Sequence, residues 1–145
     1  MHRRLVVSTA EAIRDRHPEM RLTLDVQDTP GDPVPSPIYG HRPDIVGLCT
    51  CACHRFVIGE AKTDGDIDKP HTRNQIDAFL QHLDAMQSGT GTFIFSVNGQ
   101  AADTARGFLR LNCLHRVSSR LHIKVFDGLD FWTLGPPGGE PWHLS

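Results

Sequence analysis

No hydrophobic run in this 145-residue chain reaches the roughly eighteen residues that a membrane span requires. Met1, His2, Arg3 and Arg4 carry the charge that opens a signal peptide, but the apolar run behind them ends after Leu5, Val6 and Val7. A cytoplasmic protein with no membrane partner is the expectation. Cysteine is scarce and badly placed for cross-linking: of four, Cys49, Cys51 and Cys53 crowd together and Cys113 stands alone, so no disulfide framework is expected. Basic charge is not in excess either. Fifteen Lys and Arg against seventeen Asp and Glu leave a net charge of −2, which excludes a chain that binds nucleic acid through bulk electrostatics; any basic surface must be local. The nine histidines form no H-E-x-x-H pair, and no internal repeat is present. With 39% hydrophobic and 22% charged residues the chain has the composition of one ordinary globular domain.

Local patterns give the order of elements. Ser8-x-x-Glu11 matches a capping box, which predicts a helix from Ser8 to about His17, ended by Pro18. Alternation from Arg21 to Asp28 predicts a strand, and Thr29 to Arg42, with four prolines, predicts a long loop. Pro43 to Cys49 and Phe56 to Thr63 read as an antiparallel hairpin. Helical spacing of Ile76, Phe79, Leu80 and Leu83 predicts a helix from Pro70 to Met86, followed by a strand over Thr92 to Asn98. A further helix is predicted from Ala101 to about Val117, and a strand from His122 to Phe126. Helices and strands in this order predict an α/β fold, a mixed central sheet flanked by helices, over residues 1–134. Residues 135–145, rich in Gly and Pro, are expected to be a flexible tail.

The informative constellation lies in the hairpin. Residues two apart on a strand share a face, so Glu60 and Lys62 point the same way. A symmetric turn centred on Ala52 sets Asp44 directly opposite Glu60, and three charged side chains converge. Two carboxylates side by side on strands otherwise made of Ile, Val and Phe repel one another and need compensation. A hard divalent cation, Mg²⁺ or Mn²⁺, held by these oxygens together with water and a substrate phosphate, is the natural one. The lysine beside it would orient or deprotonate an attacking water. The alternative is a solvated hairpin edge.

Pro43-Asp44 followed by Glu60-Ala61-Lys62 resembles the PD-(D/E)XK, or restriction-endonuclease-like, nuclease superfamily, in particular its small resolvase and VRR-NUC-type members. The resemblance implies an αβββαβ core with an added C-terminal helix and strand, and hydrolysis of nucleic acid, DNA first. It implies Asp44, Glu60 and the Ala61 carbonyl as metal ligands, Lys62 as the catalytic lysine, and Gln75 as the glutamine that many members carry near the site. Glu11 would be the acidic residue some members supply from the first helix. Glu11 and Gln75 each have a local explanation as well, as the last members of the Ser8 and Thr72 capping boxes.

Arg106, Arg110, Arg116, Arg120 and Lys124 face Asp103 alone between residues 101 and 124, and Arg106 with Arg110 share one helix face, a candidate contact for phosphates. A solvated face is the equal alternative. Cys49, Cys51, Cys53 and His54 invite a zinc clip, but no second knuckle accompanies them, and reduced thiols are expected. Asp64, Asp66 and Asp68 read as a solvated turn. Cutting both strands of a duplex with so small a chain implies a homodimer. The rival functions are an inactive module of the same fold that binds nucleic acid or protein, and a small zinc-binding regulator.

Overall fold

The computed structural model describes residues 1–49 and 54–135. Six strands form one mixed sheet in sequential order: β1 (Met20–Leu24), β2 (Ile45–Cys49), β3 (Arg55–Ala61), β4 (Thr90–Ser96), β5 (Leu121–Phe126) and β6 (Phe131–Leu134). Strands β1, β2 and β3 form an antiparallel meander, β3, β4 and β5 are parallel, and β6 returns antiparallel to β5. The α/β class and the mixed, helix-flanked sheet are as expected.

Three helices cover the sheet: α1 (His2–Arg16), α2 (Pro70–Asp84) and α3 (Ala102–Cys113). The two crossovers, β3 to β4 through α2 and β4 to β5 through α3, advance in one direction. Right-handed connection therefore places both helices on the same face. There Ile76, Phe79, Leu80, Leu83, Ala105, Phe108 and Leu109 bury Ile58, Phe93, Phe95, Ile123 and Val125. On the opposite face Leu5, Val6 and Ile13 of α1 pack on Ile45, Val57, Ala61, Ile94, Phe126 and Phe131. Each fully buried Phe or Ile contributes about 1.5–3 kcal/mol by leaving water.

Several expectations are corrected. Helix α1 begins at His2, so Ser8 lies inside it and caps nothing; the inward stripe Leu5, Val6, Thr9, Ala10 and Ile13 carries the helix back to the chain start. Thr72 likewise sits within α2, which opens with Pro70 after Lys69, and its hydroxyl donates to the Asp66 carbonyl at 2.5 Å. Strand β1 is shorter than its alternating pattern. Helix α3 ends at Cys113, and Leu114–Arg116 tightens into a 3-10 turn. Strand β6 was not expected. Its cause is an Asx turn in which the Asp127 carboxylate accepts from the backbone N–H groups of Leu129 and Asp130 at 2.9 and 2.8 Å, while Gly128 takes φ of 100°. Apart from Gly135, the expected tail lies outside the described residues.

Candidate active site

The register of the β2–β3 hairpin pairs Ile45 with Gly59, Val46 with Ile58, Gly47 with Val57 and Leu48 with Phe56. One step further sets Asp44 against Glu60, as the symmetric turn requires. The Asp44 N–H donates to Glu60 Oε1 at 3.3 Å, and the Ala61 N–H donates to Asp44 Oδ2 at 2.9 Å. The Asp44 carbonyl accepts from the Asp25 N–H at 2.8 Å, so the residue is fixed through its main chain too. Ile45, Val57 and Ala61 pack toward α1 while Phe56 and Ile58 pack toward α2 and α3. Alternation turns Glu60 to the α2 face, while Asp44, in the bend just before β2, sits at the end of the sheet, where its carboxylate meets the Ala61 N–H.

Both carboxylates are buried, at 5% and 4% exposure. Lys62, two residues along, keeps its Nζ 3.4 Å from Glu60 Oε2, and its N–H donates to the Ser96 carbonyl at 3.0 Å. Burial, reinforced by the Asp44 charge and partly opposed by Lys62, pushes the Glu60 carboxyl up to about 8. Near neutral pH Glu60 therefore retains a proton.

A fourth group joins these from a place the sequence pattern did not indicate. His2, half-exposed on the first turn of α1, has Nε2 3.0 Å from Asp44 Oδ2. Asp44 Oδ2 is thus engaged by both the Ala61 N–H and His2.

Glu11 is not brought here: it stands on the exposed side of α1, beside Arg3, Arg4, Val7 and Ser8. Helix α1 contributes His2 instead. Gln75 is buried on the inner side of α2, and its Oε1 accepts no hydrogen bond from the described residues. That helix starts at the same end of the sheet as the carboxylates, since only residues 62–69 separate β3 from α2. Asp64, Asp66 and Asp68 are exposed, as a solvated turn should be.

The basic stretch is largely committed to the protein itself. Arg106 pairs with Asp103 and lies 5.1 Å over the Trp132 ring. Arg116 pairs with Asp77 and Asp84, and Arg120 donates to the Met86 carbonyl. Lys124 is buried on β5, donates to Thr133 Oγ1 at 2.9 Å, and is pulled down to about 8 by burial. Among the five, Arg110 alone is exposed and without an acidic or carbonyl partner in the described residues.

Cys49 is disulfide-bonded, which corrects the expectation of reduced thiols there; Cys51 and Cys53, two of the clip's ligands, lie outside the described residues. Cys113 is a buried free thiol, pushed up to about 11 by desolvation and hence unreactive. Among the described residues no group of three or more His, Cys, Asp or Glu is arranged to hold a metal ion, and no helix is long and apolar enough to cross a membrane. Comparison of the chain with protein-family models, with curated proteins and with solved structures finds no match.

Proposed function

We propose that this chain is a metal-dependent nuclease of the PD-(D/E)XK kind, hydrolysing phosphodiester bonds of nucleic acid, DNA first. The observation that carries this reading is the buried Asp44 and Glu60 pair with the Lys62 ammonium 3.4 Å from Glu60. A pair whose charge is suppressed by burial is a poor structural element and a good acceptor for a hard cation. Two protein carboxylates, with water and substrate phosphate completing the shell, are what Mg²⁺ or Mn²⁺ takes. The donor set therefore fits, with Asp44, Glu60 and, by the family resemblance, the Ala61 carbonyl as ligands. The cation would supply Lewis acidity toward the phosphate and the attacking water.

The chain's own groups do the rest. Glu60 gives up its proton when the cation is taken, so metal affinity rises with pH toward about 8. Lys62, held by Glu60, presents its ammonium where a water and a phosphate oxygen meet, and offsets charge building there. His2 and the Ala61 N–H fix the Asp44 carboxylate in one orientation.

Cleavage of labelled oligonucleotides in Mn²⁺ tests this. Glu60→Ala should lose both Mn²⁺ binding and cleavage, and Lys62→Ala should lose cleavage while still binding Mn²⁺. Cleavage by Lys62→Ala at more than a few per cent of the parent would make the lysine structural.

A further inference from the structure

The proline-rich segment between β1 and β2 folds back over the α2 face of the sheet and leaves a cleft of about 370 Å³. Its walls are Pro35, Pro37 and Ile38 on the loop, Val46 and Phe56 on the sheet, and His82 on α2. Among the described residues no acid, lysine or arginine lines it; Thr23 and Ser36 add hydroxyls. The cleft is pre-shaped. Pro35 and Pro37 fix their own φ and hold the residues before them extended, and Arg42 Nη1 donates to the Pro35 carbonyl at 2.5 Å. Ile38 and His41 exchange backbone hydrogen bonds of 2.7 and 3.0 Å around a Tyr39-Gly40 turn with both φ values positive, 49° and 82°. For a tyrosine that conformation is strained, and it is kept with the ring edge-on to His82 at 6.5 Å. His82 in turn lies 5.8 Å from the Phe56 ring.

Position relates this cleft to the carboxylates. Val46 is two residues from Asp44, and Phe56, four from Glu60, shares its sheet face, so at about 3.3 Å per residue the cleft lies about 7–13 Å away along the strands. That distance matches roughly two to four base-stacking rises of 3.4 Å. Lacking fixed charge, the cleft repels nothing neutral and offers a phosphate no counter-charge; its rings and prolines fit a flat, uncharged heterocycle.

We propose that this cleft is a nucleobase subsite, which takes one unstacked base of the strand whose phosphate lies at Asp44, Glu60 and Lys62. The proposal rests on the nuclease reading and names its substrate: single-stranded nucleic acid, or duplex opened locally, because a paired and stacked base cannot enter. His82 and Phe56 supply the stacking surface.

The test is fluorescence anisotropy of the full chain, in Mn²⁺ and in a Lys62→Ala background that does not cut, with a labelled single-stranded oligonucleotide and a hairpin duplex of equal length. Single strand should bind more tightly. His82→Ala should weaken that binding by roughly fivefold or more, since stacking on an aromatic ring contributes about 1–3 kcal/mol per base. His82→Phe should restore it, and duplex affinity should not respond to either. Phe56 is left intact because it also packs against the core. Unchanged single-strand affinity in His82→Ala, or failure of His82→Phe to rescue, overturns the subsite and leaves the nuclease reading standing on Lys62. No binding of either nucleic acid by the chain overturns both.

Discussion

Asp44 and Glu60 each occupy a position that an apolar residue would fill at less cost, and the cost is pH-dependent. Glu60 sits at about 8 when folded against an ordinary 4.5. Between those values the folded chain keeps a proton that the unfolded chain has released, so this residue's contribution to stability falls as pH rises and is flat above about 8. His17 and His122, both lowered by burial, act in the opposite sense below about 6.5. Comparison with Glu60→Gln therefore isolates the carboxyl. In EDTA the Tm of the parent should fall relative to that variant from about pH 4.5 to pH 8. Mn²⁺ at pH 8 should raise the parent's Tm and leave the variant's in place; parallel curves with and without metal would show that Glu60 carries no such burden. Asp44, Glu60 and Lys62 were legible in the sequence because strand parity and a symmetric turn are arithmetic. His2 was not. Its contact with Asp44 spans 42 residues and exists only because α1 starts at the second residue.

Local signals misled most at the ends of elements, where a capping motif competes with an apolar stripe. Ser8-x-x-Glu11 is a good capping sequence, yet Leu5 and Val6 bury against the sheet and extend α1 past it. Thr9 shows what holds the helix down. Its hydroxyl donates to the Leu5 carbonyl at 2.5 Å, so the Ser96 hydroxyl, 2.6 Å away on β4, donates to Thr9. Both residues are fully buried. Thr9→Val strands the Ser96 donor and should destabilise by about 1–3 kcal/mol. Adding Ser96→Ala removes that unsatisfied group, so the double variant should cost less than the sum of the single ones. Urea titrations of the four proteins measure this coupling, and strict additivity would mean that the hydroxyl pair does not tie α1 to β4. The β2–β3 register, by contrast, followed from sequence spacing alone, since every observed pair keeps the same centre. Strand β6 is hard to read from sequence because its four residues, Phe131–Leu134, are too few to show alternation, and only the Asp127-Gly128 turn marks it.

At the scale of the molecule the two sheet faces divide the work. One is closed by α1, which sends His2 to the carboxylates at its near end; the other is closed by α2 and α3 only over the parallel strands, leaving β1 and β2 to the proline loop. Glu60 and the cleft lie on that second face with Asp44 at the end of the sheet, so under the proposed function one strand of nucleic acid would follow the face from cleft to metal. Each chain carries one such carboxylate pair among its described residues, and under the proposed function one pair would hydrolyse one bond at a time. Cutting a single strand then needs one chain, while breaking a duplex needs two copies acting on opposite strands. We expect the initial rate on a single-stranded oligonucleotide to be first order in chain concentration. Linear product from a supercoiled circle should approach second order, with nicked circle accumulating first at low concentration. Dilution series scored on gels decide between this and a preformed dimer, which would give linear product directly and with first-order dependence throughout.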